Sequence, residues 1–314
     1  MKILIELPTW IGDTVMATPA IENVVNTYPD SEIFFLGQIP SIDLLIFHPN
    51  HKNNFILEKN IFSFLRLSKD ISKMDIFISL RSSFRSRILR FFINSNMSFQ
   101  FNNKKYLVEG HQVEKYNKFI GDVLNNPLPP GNLILYKNKN LRKKLKKGLN
   151  LIISPGAAYG EAKCWPVDKY VEVINNLKDV CNIYIIGSKN EKSIANEILR
   201  LTKNTKVYDL TGQTKIPELV HLISLSNLFI TGDSGPMHIA AAFNIPTIAI
   251  FGPTNHVETC QWRNQNSIIF KKSLDCQPCM KRVCPLSHHK CMRLIDSKEI
   301  TNKAIEFLGE AIVN

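Results

Sequence analysis

Three turns in the chain set glycine beside a charged side chain where an apolar run gives way to a helical pattern. The first is Pro8-Thr9-Trp10-Ile11-Gly12-Asp13, the second runs from Pro155-Gly156 through Gly160 to Lys163, and the third is Thr231-Gly232-Asp233-Ser234-Gly235. A carboxylate placed like Asp13 either caps the helix behind it or, with a hydroxyl in reach, acts as a general base. A lysine placed like Lys163, beside a glycine turn and a helix start, suits a phosphate, although an ordinary solvated lysine reads the same way. In the third turn Asp233 and Ser234 are the expected caps, and Gly235-Pro236 opens a helix whose free N–H groups and positive end favour an anion. Taken singly, each is also what a plain capped βαβ turn looks like, and neither a Walker nor a GxGxxG pattern occurs.

The elements around these turns alternate. Residues 229–254 pack strand, turn, alanine-rich helix, an Asn-Ile-Pro break and a second apolar strand into one βαβ unit, which puts the helix start at the carboxyl edge of a parallel sheet, where open α/β sheets take ligands. Upstream, strands are expected over 2–7, 32–36 and 74–80, with helices over 14–27, 85–92 and 111–124. A Pro/Gly/Asn break at 125–131 and a basic run over 137–147 end this first half. A second half then opens as the first did, with strands over 149–154, 182–186, 207–210, 228–230 and 247–251. The expectation is an α/β protein of two Rossmann-like domains facing each other across a cleft, 1–145 and 146–296, with a last helix over 297–314.

Composition narrows the function classes. With 314 residues, 44% hydrophobic and 21% charged, the chain is long enough for two α/β domains and is neither disordered nor fibrous. Glu6, Pro8 and Gly12 interrupt the first apolar run too early for a signal peptide, and no run approaches a membrane span, so a cytosolic location is expected. The net charge of +12 calls for a polyanionic partner: nucleic acid, an anionic membrane face or a phosphorylated substrate. Part of it is concentrated at Arg81, Arg85, Arg87 and Arg90. Seven cysteines in such a chain point to free thiols or metal before disulfides. Cys276, Cys279, Cys284 and Cys291, with His288 and His289 among them, hold one CxxC knuckle and enough ligands for a closed structural zinc site, against the alternative of reduced thiols in a loop.

Three stretches, LPTWIGDTVMATPAI, SPGAAYGEAKCWP and GDSGPMHIAAAFNIPTIAIFGPT, resemble the ADP-heptose:lipopolysaccharide heptosyltransferases of glycosyltransferase family 9, most closely the heptosyltransferase II branch. The resemblance runs in consistent order from Met1 to about Pro253. It implies a GT-B fold with an N-terminal acceptor domain and a C-terminal donor domain. It also implies inverting transfer of L-glycero-D-manno-heptose from ADP-heptose to a heptose of the inner core, on a lipid A-core acceptor at the cytoplasmic face of the inner membrane. Carried over by position, Asp13 is the catalytic base, held by the Gly12 turn, and Lys163 neutralises the departing diphosphate. Asp233, Ser234, Gly235 and His238 form the donor turn, with Gly156 in the turn before it, Glu191 as the ribose acid, and Gly212 and Lys215 at the adenine pocket. Arg81, Arg85 and Arg87 become candidates for the anionic groups of the acceptor, while His111 and Tyr116 belong to a further family pattern without an assigned role. No Asp-x-Asp pair, the usual metal clamp on a sugar nucleotide, occurs in the chain, so lysine and helix end are expected to do that work with no cofactor. Rival readings are transfer to Kdo, a sugar-nucleotide epimerase, and a basic nucleic-acid binder with the cysteines as a zinc module; the last leaves three glycine turns unused, and no nucleic acid is expected as a partner.

Overall fold

The computed structural model describes residues 1–58, 60, 63–106, 110–138, 140–141, 145–203 and 205–313. The chain divides into two compact units, Met1–Asn138 and Lys139–Asn314. The boundary thus falls a little before the expected residue 145, and part of the 137–147 basic run lies outside the described residues.

In the first unit the order is β1 (Lys2–Glu6), α1 (Ile11–Met16), α2 (Thr18–Thr27), β2 (Glu32–Gly37), α3 (Ile39–Leu45), β3 (His51–Ile56), α4 (Ser63–Asp70), β4 (Met74–Ser79), α5 (Phe84–Phe92), β5 (Ser95–Gln100) and α6 (Gln112–Leu124). The described strands form a parallel sheet in the order β3-β2-β1-β4-β5. β1 lies at its centre with Ile3, Leu4 and Ile5 no more than 1% exposed, which is why these three middle positions are all apolar. β3 and β5 lie at the edges, half-exposed and polar, and carry no periodicity that marks them as strands. The helix expected over 14–27 is two helices. Pro19 sits in the first turn of α2, where its missing N–H is no loss, and the Ala17 N–H closes α1 onto the carbonyls of Asp13 and Thr14.

The second unit continues with β6 (Asn150–Ser154), α7 (Val167–Asn176), β7 (Asn182–Ile185), α8 (Lys192–Leu201), β8 (Val207–Asp209), α9 (Ile216–Ile223), β9 (Leu228–Gly232), α10 (Gly235–Ala242), β10 (Thr247–Phe251), α11 (His256–Thr259), β11 (Ser267–Lys271), α12 (Lys290–Arg293) and α13 (Ser297–Val313). Its described strands also pair in parallel, in the order β11-β10-β9-β6-β7-β8. In both units the order reverses direction beside the first strand, between β1 and β4 and between β6 and β9. The three glycine turns follow β1, β6 and β9. α13 is not a separate appendage: Ile300, Ala304, Phe307 and Leu308 join the core of β6, β9 and α7.

Glu6, which breaks the first apolar run, is fully buried at the carboxyl end of β1. Its Oε2 accepts from Ser79 Oγ at 2.6 Å, and its Oε1 accepts from Ser86 Oγ at 2.8 Å and Arg81 Nη1 at 3.4 Å. One carboxylate therefore ties β1 to the end of β4 and to the first turn of α5. Burial pushes its pKa up, and Ser79, Arg81, Ser86 and Arg85 offset part of that rise. A folded pKa above the unfolded one means that the fold binds this proton the more tightly. The contribution is then full below the unfolded pKa and is lost as pH rises through the folded one. Glu6→Gln removes this dependence, so the melting temperature of the variant relative to the parent should climb between mildly acid and neutral pH. Parallel melting curves of the two proteins across that range would refute the reading.

Candidate active site

The second unit gathers its polar groups at the carboxyl ends of β6 and β9. Lys163 ends a short 3-10 turn, Glu161–Lys163, and is anchored by Trp165, which is 1% exposed and meets Tyr170 edge-on at 4.9 Å in the core. From there Lys163 Nζ donates to Asp233 Oδ2 at 2.5 Å and to the Asp233 carbonyl at 3.2 Å. The same Oδ2 accepts from Thr254 Oγ1 at 2.7 Å. Both charged side chains are almost out of water, 11% and 6% exposed, so neither is a surface ion pair. Asp233 is thus not a helix cap; its carboxylate holds Lys163. Ser234 does stand at the N-cap position of α10, but its Oγ is 2.9 Å from Thr231 Oγ1 and no side chain caps the helix. The amino end of α10 keeps its dipole and backbone donors for an anion. Gly235 is the first residue of α10, and His238 is buried within it, 2% exposed.

Gly156 and Glu191 explain each other. A Cβ on Gly156 would collide with Glu191 Oε1, while Glu191 Oε2 accepts from the Ser188 N–H at 2.5 Å. The carboxylate therefore rests on the backbone of the turn after β6, held at the end of β7. Gly212 follows in the turn after β8, with φ at +71°, a left-handed conformation that only glycine adopts without strain. Lys215 precedes α9 with its side chain exposed, and its N–H donates to Glu218 Oε2 at 3.0 Å.

The cysteine segment does not stand apart from this site. The Arg282 carbonyl accepts from the Ala162 N–H at 3.0 Å, His289 Nε2 is 2.9 Å from the Ala162 carbonyl, and a Cβ on Gly160 would come within 2.5 Å of the Arg282 carbonyl. Tyr159 lies between two cations: Lys163 Nζ is 4.7 Å and the Arg282 guanidinium 5.3 Å from its ring centre. Neither Tyr159, Thr254 nor Arg282 stands out by spacing, because a contact between residues 159 and 282 has no local signature. Cys276, Cys279, Cys284 and Cys291 line one cavity of about 20 Å³ with His288 and His289. Cys291 is pushed up by burial and then by the other three thiols, whereas backbone N–H groups of residues 286–289 draw Cys284 down. Even so, no three His, Cys, Asp or Glu side chains among the described residues form a metal-ligand group.

In the first unit Asp13 is the third residue of α1. The N-cap is Trp10, with no side-chain cap, so the capping role is not the one Asp13 plays. The turn before it is held by hydroxyls: Ser41 Oγ donates to the Pro8 carbonyl at 2.8 Å, and Thr14 Oγ1 to that of Trp10 at 3.1 Å. Gly12 is buried in the same turn of helix. Tyr116, from α6, is buried beside Asp13: burial first, and then the Asp13 charge, pushes its pKa well up. His111 is the N-cap of α6, its Nδ1 accepting from the Val113 N–H while Glu114 accepts from the His111 N–H. The three arginines are not one cluster. Arg81 pairs with Glu6 and is 17% exposed; Arg85 donates to the carbonyls of Glu58 and Asn60 over the Phe64 ring; Arg87 lies on the exposed face of α5.

The profile of glycosyltransferase family 9 (heptosyltransferase) matches residues 65–290. The chain belongs to that family. The lipooligosaccharide heptosyltransferase 2 of Campylobacter jejuni is 37% identical to this family 9 glycosyltransferase over 98% of both chains. Among solved structures, a family 9 glycosyltransferase from Veillonella parvula superposes with a TM-score of 0.86 at 18% identity, covering 98% of this chain and 97% of its own. The ADP-heptose LPS heptosyltransferase II of Escherichia coli does so at 0.82 and 22%, covering 99% of each. The two Rossmann-like units are therefore those of a GT-B fold.

Gly156→Ala separates site from scaffold in this family 9 enzyme. The added methyl meets the Glu191 carboxyl group and its Cγ but no backbone, so the fold should survive while the whole Glu191 side chain is displaced. ADP affinity measured by calorimetry should then fall about tenfold, the equivalent of about 1.4 kcal/mol. Unchanged ADP affinity would show that Glu191 and Gly156 take no part in nucleotide binding.

Proposed function

We propose that this enzyme transfers L-glycero-D-manno-heptose from ADP-heptose to a heptose of the lipopolysaccharide or lipooligosaccharide inner core, with inversion at the anomeric carbon. The observation that carries the reading is the buried Lys163–Asp233–Thr254 group beside the uncapped start of α10. In this reading the second unit binds the donor and the first the acceptor. Glu191, Gly156, Gly212 and Lys215 belong to the nucleoside end, and Ser234, Gly235 and His238 to the diphosphate turn. Asp13 takes the proton of the acceptor hydroxyl as its oxygen bonds to the anomeric carbon, and the bond from that carbon to the diphosphate breaks. ADP departs with its charge met by Lys163 and the amino end of α10. Asp233 positions Lys163 and Tyr116 lies behind Asp13. Arg81, partly exposed beside Glu6, is the arginine best placed for an anionic group of the acceptor.

No helix of the described residues is long and apolar enough to cross a membrane. The lipid-anchored acceptor therefore implies a peripheral enzyme at the cytoplasmic face of the inner membrane. The four cysteines would be the ligands of a structural zinc, but no three of the described His, Cys, Asp or Glu side chains form a metal-ligand group, so no metal is assigned a part in the reaction, and metal analysis of the purified protein decides between zinc and reduced thiols.

Incubation of ADP-heptose with defined truncated cores should add one heptose to a core ending in heptose. Gain on a core carrying only Kdo would move the enzyme to the other branch of the family, and conversion of ADP-heptose without acceptor would overturn transfer itself. Asp13→Ala should lower the transfer rate about a thousandfold with ADP binding retained; a near-parental rate would end its role as base. Transfer should also persist in EDTA, and an absolute need for added divalent metal would overturn the assignment of leaving-group charge to Lys163.

A further inference from the structure

The two most exposed large apolar side chains among the described residues lie on one helix. Phe91 is 85% and Phe84 70% exposed, both on α5. Seven residues apart, they share a face about 10 Å long. The opposite side of α5 is already buried, through Ser86 and Leu89, so neither ring is needed to dock the helix. Besides the two rings, only Arg87 and Arg90 of α5 are exposed, and the helix carries no acid. On the adjacent α4, Leu65 is 55% exposed. Glu58, ahead of α4, and Asp70, at its end, lie within ion-pair distance of Arg66. Two aromatic rings flanked by guanidiniums, with no acid between them, complement a surface that is apolar beneath and negative above.

We propose that α5 is the enzyme's docking element on an anionic lipid bilayer. Phe84 and Phe91 enter the boundary between headgroups and acyl chains, and Arg87 and Arg90 meet lipid phosphates. This deepens the peripheral location proposed above and gives Arg87 a lipid role instead of a place on the acceptor. It also accounts for a pair of rings that no packing requirement places in water.

The test is partition of the full chain onto vesicles, with a water-soluble core oligosaccharide as acceptor for a parallel activity assay. The parent should sediment with phosphatidylglycerol vesicles and far less with neutral phosphatidylcholine. Phe84→Ser/Phe91→Ser should lose at least about tenfold of that partition, and Arg90→Gln about fivefold, with transfer to the soluble acceptor unchanged. As a second readout on an unperturbed fold, the Phe91→Trp variant should show, over the emission of the parent's Trp10, Trp165 and Trp262, an added indole emission that shifts to the blue on phosphatidylglycerol vesicles and is quenched by brominated acyl chains. Parental partition in the double variant, equal binding to neutral vesicles, or an indole emission in Phe91→Trp that vesicles leave unmoved would each overturn the proposal. A matching fall in transfer to the soluble acceptor would also overturn it, by returning the patch to the acceptor site. Failure of the heptosyl-transfer reading would instead appear in the parent, as no transfer to any core.

Discussion

The second unit is arranged around a charge pair that water hardly reaches. The lysine and the aspartate, at 11% and 6% exposure, are held by close directional contacts, and removal of either partner would strand the other at a cost of about 3–5 kcal/mol. The surrounding contacts follow from that. Trp165 roots the Lys163 turn in the core, Thr254 supplies the second donor to Asp233, and the Arg282 carbonyl and His289 brace the backbone of Ala162. A pair so placed is already desolvated and oriented before a diphosphate arrives. In the proposed reaction, stabilisation of leaving-group charge by this pair would need little reorganisation.

The first unit solves a related problem with a single buried acid. Glu6 sits where β1 ends and joins that strand to Ser79 of β4, to Arg81 beyond it and to Ser86 in the first turn of α5. The loop that leaves β1 for Asp13 is held separately, by Ser41 and Thr14 on the carbonyls of Pro8 and Trp10. Asp13, the proposed base, and the helix that carries the exposed aromatics thus both start from the carboxyl end of the sheet's centre, one after β1 and the other after its neighbour β4.

Much of this is legible one residue at a time. The buried central strands are unbroken apolar runs, and the glycine turns after β1, β6 and β9 stand out because tight turns at strand ends demand those residue types. Asp13, Gly156, Lys163 and Asp233 can be picked out in this way. The edge strands β3 and β5 cannot, since a strand with one partner and a wet face needs no apolar pattern. The roles of Asp233 and His111 differ for a related reason: whether a polar residue at a helix start caps it or turns elsewhere depends on what the rest of the chain brings within hydrogen-bond reach.

By itself the sequence determines the two parallel α/β units, the family and the glycine turns at the strand ends, because strand burial, helix starts and glycine turns are properties of neighbouring residues. Tertiary structure alone decides which groups meet: that Asp233 turns to Lys163 and Thr254, that Glu191 rests on Gly156, that the cysteine segment braces the lysine turn, and that Phe84 and Phe91 stay outside the core. Each of these joins residues far apart in the chain, or depends on which face of an element is already covered. Such pairings are set by packing, and local pattern holds no record of them.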